Sequence, residues 1–164
     1  MSFLVKQLSH HKQEIAEQIL HIQLPAYQIE ASIIEFSGIP ALLDTASSIQ
    51  QSTEIFYGCY EENELIAVCS VEKSESESTA EKNMMTICRM VVHPDHFRKG
   101  VAHTLLHYIL DHFSAYHEIK VHTGAKNIPA IRLYEKQGFI LSGTKEVAPN
   151  FHLAFLHRYM NDQH

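Results

Sequence analysis

The stretch Met90–Leu106, MVVHPDHFRKGVAHTLL, decides the fold of this chain. It begins as an apolar strand, passes through a His-Pro step and a short basic turn, and continues from Gly100 into an amphipathic helix. The start of a helix offers unpaired backbone N–H groups and the positive end of the helix dipole. Gly100 has no side chain that would hold a ligand away from this backbone. The stretch therefore predicts a strand–turn–helix unit that binds a phosphate or pyrophosphate, with a plain solvated connection as the alternative.

Composition narrows the class of protein. The chain has 164 residues, of which 45% are apolar and 20% charged, as is usual for one globular domain. Its formal net charge of −6 argues against general nucleic-acid binding. No segment approaches the roughly 18 consecutive apolar residues of a membrane helix, and Met1–Gln7 lacks the pattern of a signal peptide. We therefore expect a cytoplasmic protein that binds neither nucleic acid nor membranes.

Three cysteines, Cys59, Cys69 and Cys88, each lie in an apolar, strand-like run. Their spacing matches no CxxC metal or redox motif. No neighbouring residue would activate one of them as an acyl carrier, because none supplies a base or a cationic setting. We expect all three to be reduced, buried thiols.

Hydrophobic patterning predicts an α/β domain with a mixed sheet. Lys73–Lys82 is dominated by serine and glutamate and is expected to be a mobile loop. In chain order the predicted elements are a strand at Phe3–Leu8, helices at His10–Ile22 and Pro25–Phe36, a short helix within Ala41–Gln51, strands at Ile55–Tyr60, Leu65–Val71 and Met84–Val92, a helix at Lys99–Phe113, a strand at Glu118–Thr123, a helix at Asn127–Gln137, and strands at Phe139–Val147 and Phe151–Met160.

A second segment, Asn127–Phe139 (NIPAIRLYEKQGF), follows a predicted strand. Together with the Gly100 turn, in this order and with a strand between them, it resembles the GNAT superfamily of N-acetyltransferases over Glu54–Phe139. The resemblance implies an acyl-CoA N-acyltransferase fold, a mixed sheet of about six or seven strands flanked by about four helices. It also implies one N-acetyltransferase domain over 1–164, in which 1–53 shapes the acceptor side, 54–139 binds acetyl-CoA and 140–164 closes the sheet.

The resemblance implies acetyl-CoA as co-substrate and no metal. In the family, a strand pairs with the pantetheine arm, and the loop Arg/Gln-x-x-Gly-x-Gly/Ala holds the pyrophosphate. That loop falls on residues 97–102, where Phe97 replaces the first polar residue, so we expect backbone N–H groups to hold the pyrophosphate. The residues implied to bind acetyl-CoA are Met90, Val91, Val92, Arg98, Lys99, Gly100, Val101, Ala102, His103, Asn127 and Tyr134.

In the resemblance, the tyrosine of the family's Leu-Tyr-x-x-x-Gly-Phe run falls on Tyr134. This residue is implied to be the acid that assists departure of the CoA thiolate. A phenol, with an ordinary pKa of about 10, can donate to that sulfur. The general base that deprotonates the acceptor amine is not fixed by the motifs. His122 corresponds to a glutamate used in some branches of the family, and Glu72 is a second candidate. Glu30 and Glu35, near the expected acceptor cleft, are further alternatives.

The sequence has 13 histidines, and three residues on one helix face need weighing as a metal site. His103, His107 and Asp111 follow one another at steps of four residues, a spacing at which two histidines can hold zinc. The row lies opposite the apolar stripe of its helix and lacks further ligands. We expect a solvated helix face and no metal.

The function expected from these features is acetyl transfer from acetyl-CoA to a primary amine of a small-molecule or peptide acceptor, by direct attack. The alternative is a catalytically silent acyl-CoA-binding sensor or interaction module with the same fold. A nucleotide-binding enzyme on another α/β scaffold is disfavoured because the chain lacks GK[ST] and GxGxxG runs. A homodimer is compatible with the terminal strands.

Overall fold

The computed structural model describes residues 2–75 and 83–160. In these residues the chain forms one seven-stranded mixed sheet with four α-helices, which confirms the predicted fold class. The elements are β1 (Phe3–Gln7), α1 (Gln13–Ile34), α2 (Ala46–Gln50), β2 (Ile55–Glu61), β3 (Glu64–Glu75), β4 (Asn83–Val92), α3 (Val101–His112), β5 (Glu118–Gly124), α4 (Ile128–Lys136), β6 (Ile140–Ala148) and β7 (Phe151–Tyr159). Short 3-10 turns lie at Pro40–Leu43 and Pro94–His96.

The strand order is β1-β2-β3-β4-β5-β7-β6, and the neighbours are antiparallel except for β4 and β5. Helices α1 and α2 pack on one face, over an apolar cluster that includes Ile19, Ile49 and Phe56. On the other face α3 and Tyr134 of α4 share a second cluster with buried strand residues such as Ile119. The two apolar layers hold the central strands between them.

The parallel strands β4 and β5 separate partway along their length. Their register runs from Met84 opposite Glu118 to Ile87 opposite Val121 and ends there, although both strands continue. A bulge lies at this point, because Ser70 opposes Arg89 while Val71 opposes Ile87, so that Cys88 is an extra residue in β4. A bulge bends and twists its strand. The outcome is a V-shaped gap between the second halves of β4 and β5, which we call the mouth.

Helix α1 is one continuous element, whereas the sequence predicts two helices divided before Pro25. Pro25 lies inside the helix and withdraws one N–H from its hydrogen-bond ladder. A buried stripe runs through the proline, from Ala16 and Ile19 to Tyr27 and Ile34. Burial of this stripe on the sheet outweighs the lost hydrogen bond, so tertiary packing overrides the local signal.

Two further expectations differ from the structure. Residues Lys73–Glu75 belong to β3 and pair with β4, where a loop over Lys73–Lys82 is predicted; the remainder of that loop, 76–82, lies outside the described residues. Cys59 and Cys69 are buried free thiols, but Cys88 is exposed. The bulge explains the exposure of Cys88, because it takes this residue out of the alternation that buries its neighbours.

A buried polar network joins α1 and the segment before α2 to the sheet. The Arg89 guanidinium donates to Asp44 (2.8 Å), to Glu54 (3.2 Å) and to the side-chain oxygen of Gln23 (2.8 Å). Gln23 also donates to Asp44 (2.8 Å), and the Ser70 hydroxyl donates to Glu54 (2.7 Å). Each charged group therefore has several partners, as a buried ion needs.

We predict that Arg89→Leu lowers the free energy of unfolding by about 3–5 kcal/mol, because it leaves two carboxylates covered and without their cation. Urea unfolding at neutral pH, followed by circular dichroism, measures the change. Burial alone would raise the pKa of Asp44, but hydrogen bonds from Ser48 and Gln23 and the charge of Arg89 together hold it below its ordinary value. Asp44 therefore contributes to the free energy of unfolding above about pH 4, and this contribution is lost as the pH falls through its lowered pKa.

Glu35→Gln serves as the control, because it removes one partner of an exposed ion pair with Lys126. Its unfolding curve should overlay that of the wild type. An Arg89→Leu protein with wild-type stability would contradict a structural role for the network.

Candidate active site

The first wall of the mouth is the free edge of β4. His93 donates its N–H to the carbonyl of Ile66 on β3 (2.9 Å). Because successive residues of a strand direct their peptide groups to opposite sides, Val91 also faces β3, while Met90 and Val92 face the mouth. Beyond Ile87 the described part of β5 does not pair with them. The mouth therefore presents peptide N–H and C=O groups that an extended amide ligand can pair with.

The loop at the end of β4 supplies a second binding surface. Arg98 and Gly100 both have positive φ, 65° and 78°, on either side of Lys99. Alternating backbone conformations of this kind turn successive N–H groups toward one concavity, which suits an anion. A Cβ built on Gly100 meets nothing within 4 Å, so the space in front of the loop is open. The loop has the shape and polarity of a phosphate cradle.

Helix α3 begins at this cradle. Its first backbone bond runs from the Thr104 N–H to the carbonyl of Gly100 (3.0 Å), which leaves the N–H groups of Val101, Ala102 and His103 without partners in the helix. The helix is 12 residues long and points its positive end at the loop. The loop and helix together can hold a pyrophosphate through backbone groups alone.

Side chains around the cradle are mostly occupied or directed to solvent. The Lys99 ammonium lies 3.4 Å from a Glu61 oxygen and 3.0 Å from His96 Nδ1. Phe97 is 43% exposed and Arg98 is also exposed. His103 forms a hydrogen bond with the side chain of Gln137. This arrangement favours the expectation that backbone N–H groups, more than side chains, would meet the ligand.

The far wall of the mouth comes from the start of α4 and from Tyr134. The Asn127 side chain caps α4 by accepting from the Ala130 N–H (3.3 Å), and its amide donates to Thr123 (3.4 Å). Tyr134 is only 4% exposed and packs edge-on against Phe139. Among residues 2–75 and 83–160, its hydroxyl has no hydrogen-bond partner. A buried hydroxyl without a partner is unusual and is typical of a functional site.

The second half of α1 crosses the mouth on the opposite face. A Cβ at Gly124 of β5 would lie 2.7 Å from the Ile34 side chain, so the helix touches the strand there. Glu30 lies one turn before Ile34, and the Asn127 side chain at the start of α4 favours the ionised form of the Glu30 carboxyl. Tyr27, 8% exposed, lies one turn earlier still. The structure thus brings residues from α1 and α4 to one place.

The ionisation of these three side chains follows from their burial. Burial raises the pKa of Tyr134 well above its ordinary value, and the nearby Cys69, Tyr27 and Glu30 raise it further. The pKa of Tyr27 is raised in the same way, mainly by burial. Burial also raises the pKa of Glu30, although the hydrogen bond from Asn127 opposes the change. Both phenols therefore stay protonated at neutral pH, while Glu30 is a stronger base than an ordinary carboxylate.

The other predicted bases lie elsewhere around the mouth. His122 is exposed on β5, with its ring 5.7 Å from that of Phe155. Glu72 is exposed on β3 opposite Thr86, on the paired side of the point where the strands separate. Glu35 is exposed and forms an ion pair with Lys126. The roles of His122 and Glu72 stay predictions.

Sequence reasoning singled out neither Tyr27 nor the contact between Glu30 and Asn127. No local pattern marks either residue, because their importance depends on how α1 lies across the sheet. One signal was available: Tyr27, Glu30 and Ile34 recur at helical spacing and so share one face. That spacing does not tell which elements the face meets.

Residues 2–75 and 83–160 contain no group of three or more histidine, cysteine, aspartate or glutamate side chains arranged to hold a metal ion. In the same residues, no helix has the length and apolar character required to cross a membrane.

Comparisons with known proteins agree with this geometry. The chain is 40% identical over 156 residues to the UPF0157 protein YqkA of Bacillus subtilis (strain 168). The aligned region covers 95% of this chain and 43% of that protein. The chain therefore spans less than half the length of this curated relative.

Solved structures share the fold at low sequence identity. The ribosomal-protein-S18-alanine N-acetyltransferase of Escherichia coli superposes with a TM-score of 0.72 at 14% identity, over 99% of this chain and 97% of that chain. The yncA protein of Salmonella typhimurium, a putative acetyltransferase solved with its cofactor acetyl-CoA, superposes with a TM-score of 0.70 at 15% identity, over 100% and 97% of the two chains.

A family model decides the classification. The model of the acetyltransferase (GNAT) family matches residues 16–139, from the first turn of α1 to the residue before β6. The matched span includes the free edge of β4, the cradle at Gly100 and the Asn127–Tyr134 wall. This chain belongs to the acetyltransferase (GNAT) family.

Proposed function

We propose that this protein is an N-acetyltransferase that moves an acetyl group from acetyl-CoA to a primary amine of a small molecule or peptide. The observation that carries the proposal is a convergence at the mouth. An open strand edge, an anion cradle and a buried phenol, which has no hydrogen-bond partner in the described part of the chain, meet where the two parallel strands separate. These features match, in order, the amides, the pyrophosphate and the thioester of an acyl-CoA.

The residues present fit acetyl-CoA. The pantetheine arm carries amides, and the peptide groups of Met90 and Val92 can pair with them as a further strand would. The pyrophosphate suits the backbone N–H groups from Arg98 through His103 and the positive end of α3. Among the structural neighbours, the yncA protein is described with acetyl-CoA, and the Escherichia coli protein is named for acetylation of an alanine. Both names support the proposed donor and the proposed class of acceptor.

The chemistry proposed is direct attack of the amine on the thioester, with no covalent enzyme intermediate. The Tyr134 phenol lies buried at the mouth and stays protonated because its pKa is raised. An alkyl thiol has an ordinary pKa of about 8.5, below that of the phenol, so Tyr134 would stabilise the departing thiolate chiefly by hydrogen bonding. Burial strengthens that bond by excluding water.

The cellular setting belongs to the same proposal. We infer that the protein acts in the cytoplasm on a small-molecule or peptide amine and binds neither nucleic acid nor a membrane. The buried free thiols of Cys59 and Cys69 suit a reducing compartment, and the formal net charge of −6 argues against nucleic-acid binding. A homodimer fits the exposed apolar side chains of β6, among them Ile140 and Val147.

A panel of amines separates the enzyme from a silent sensor. We expect free thiol to be released when the protein is incubated with acetyl-CoA and spermidine, lysine, glucosamine or an alanine-initiated peptide, each tested alone. Thiol is measured by its reaction with a chromogenic disulfide. Thermal stabilisation by acetyl-CoA with no thiol release from any amine would favour the sensor.

Gly100→Glu tests the cradle. The change puts a side chain at a residue with φ of 78° and a negative charge where the pyrophosphate would lie, so we expect Kd for CoA to rise at least tenfold, about 1.4 kcal/mol. Isothermal titration calorimetry measures Kd. Gly143→Glu is the matched control, because that glycine lies on β6 with open space around it. Wild-type affinity in Gly100→Glu would refute this placement.

Tyr134→Phe tests the assigned acid. Loss of the phenol should lower kcat by about 10²-fold or more while Kd for CoA stays unchanged. Thiol release with an amine that the wild type acetylates gives kcat, and calorimetry gives Kd for CoA. Tyr159→Phe, at an exposed tyrosine on β7, should behave as the wild type. Undiminished turnover in Tyr134→Phe would remove this residue from the mechanism.

A further inference from the structure

We propose that Glu30 binds the ammonium group of the acceptor and takes its proton. This inference rests on the proposed function, because it names the base for that reaction and the class of group that the acceptor presents. The sequence leaves Glu30 as one of several alternative bases; its place in the fold distinguishes it from the others.

Glu30 faces the mouth. It shares a helix face with Tyr27 and Ile34, and Ile34 contacts Gly124 near the end of β5. Pairing between β4 and β5 ends before this level, so the face of α1 that carries Glu30 lies over the gap. A carboxylate at this position approaches the thioester from the side opposite α3, where an acceptor has room to enter.

The Glu30 carboxylate has a polar neighbour that is itself fixed in place. The Asn127 side chain favours the ionised form of the Glu30 carboxyl, and Asn127 is buried and positioned by Ala130 and Thr123. A neighbour fixed in this way loses little further freedom when a ligand binds beside it.

Glu30 lacks a counter-ion in the described part of the chain. The Arg89 guanidinium is committed to Asp44 and Glu54, and Lys126 is paired with Glu35 at the surface. A half-buried carboxylate without a cation costs free energy that a paired one does not. An alkylammonium group would supply the missing charge, so the site selects cationic amines.

The groups around Glu30 leave it as the proton acceptor. Tyr27 on the same helix and Tyr134 on α4 interact electrostatically with Glu30, and Cys69 of β3 does so with both phenols. The pKa values of all three are raised by burial, so they hold their protons at neutral pH. Burial raises the pKa of Glu30 as well, which makes its carboxylate a better base.

The step balances as follows. The acceptor ammonium gives one proton to the Glu30 carboxylate, and the nitrogen lone pair forms a C–N bond to the thioester carbonyl carbon. The C–S bond breaks and sulfur keeps the electron pair, with a hydrogen bond from Tyr134. A second nitrogen proton neutralises the thiolate, so the products are an amide and a free thiol, and Glu30 releases its proton to water.

Glu30→Gln is the test, because glutamine keeps the volume of the side chain but removes its charge and its ability to take a proton. We expect kcat/KM for the amine to fall by about 10²-fold or more, with Kd for CoA and the melting temperature unchanged. In the wild type, kcat/KM should decrease as the pH is lowered through the raised pKa of Glu30, because the carboxylate becomes protonated. In Glu30→Gln this pH dependence should be absent. Glu17→Gln removes the same charge from an exposed position on the same helix and is the matched control.

A second measurement does not depend on turnover. In a ¹³C NMR titration of the CoA complex, ethylamine should lower the apparent pKa of the Glu30 carboxyl, because a bound cation favours the ionised form. Wild-type kcat/KM in Glu30→Gln, or a Glu30 carboxyl that does not respond to ethylamine, would overturn the assignment. If the wild type releases no thiol with any amine, the proposed function fails, and the NMR titration still decides whether Glu30 binds an ammonium.

Discussion

The separation of β4 from β5 is the constraint on which the rest of the site depends. Backbone N–H and C=O groups need partners, and the bulge at Cys88 removes those that β5 would have given to the second half of β4. The fold leaves this edge at the bottom of a gap and surrounds it with α1, α3 and α4. Under the proposed function, a ligand that is itself a chain of amides would complete the sheet at this gap.

The buried network around Arg89 decides how α1 lies over that gap. It links Gln23 of α1, Asp44 and Glu54 through one guanidinium, and each carboxylate has more than one donor. Among the described residues, Arg89 is committed to this network and Lys126 is paired with Glu35, so Glu30 of α1 is left without a counter-ion. The charges of the network and Glu30 thus differ in one respect: in the described residues the former have partners of opposite charge and Glu30 has none.

Most elements of the fold follow from local pattern, and the exceptions have physical causes. The strand–turn–helix at Gly100 and the capped helix after Asn127 were predictable, because left-handed glycines and side-chain caps are local devices. The continuity of α1 through Pro25 was not, since burial of a long apolar stripe outweighs one missing hydrogen bond. The extension of β3 through Glu75 was not predictable either. Its polar residues are held by backbone pairing with β4, which local composition does not show.

The sequence by itself indicated the family and most of the order of the elements, and it predicted that the backbone from Arg98 to His103 holds a pyrophosphate. Those properties depend on neighbours along the chain and on motifs with fixed spacing. Only the tertiary structure decided that Tyr27, Glu30, Asn127 and Tyr134 meet at one mouth, because they come from α1 and α4 on opposite faces of the sheet. Their burial depends on how α1 and α4 lie around the gap, and so does the absence of a counter-ion beside Glu30 in the described residues. No spacing along the chain encodes these properties.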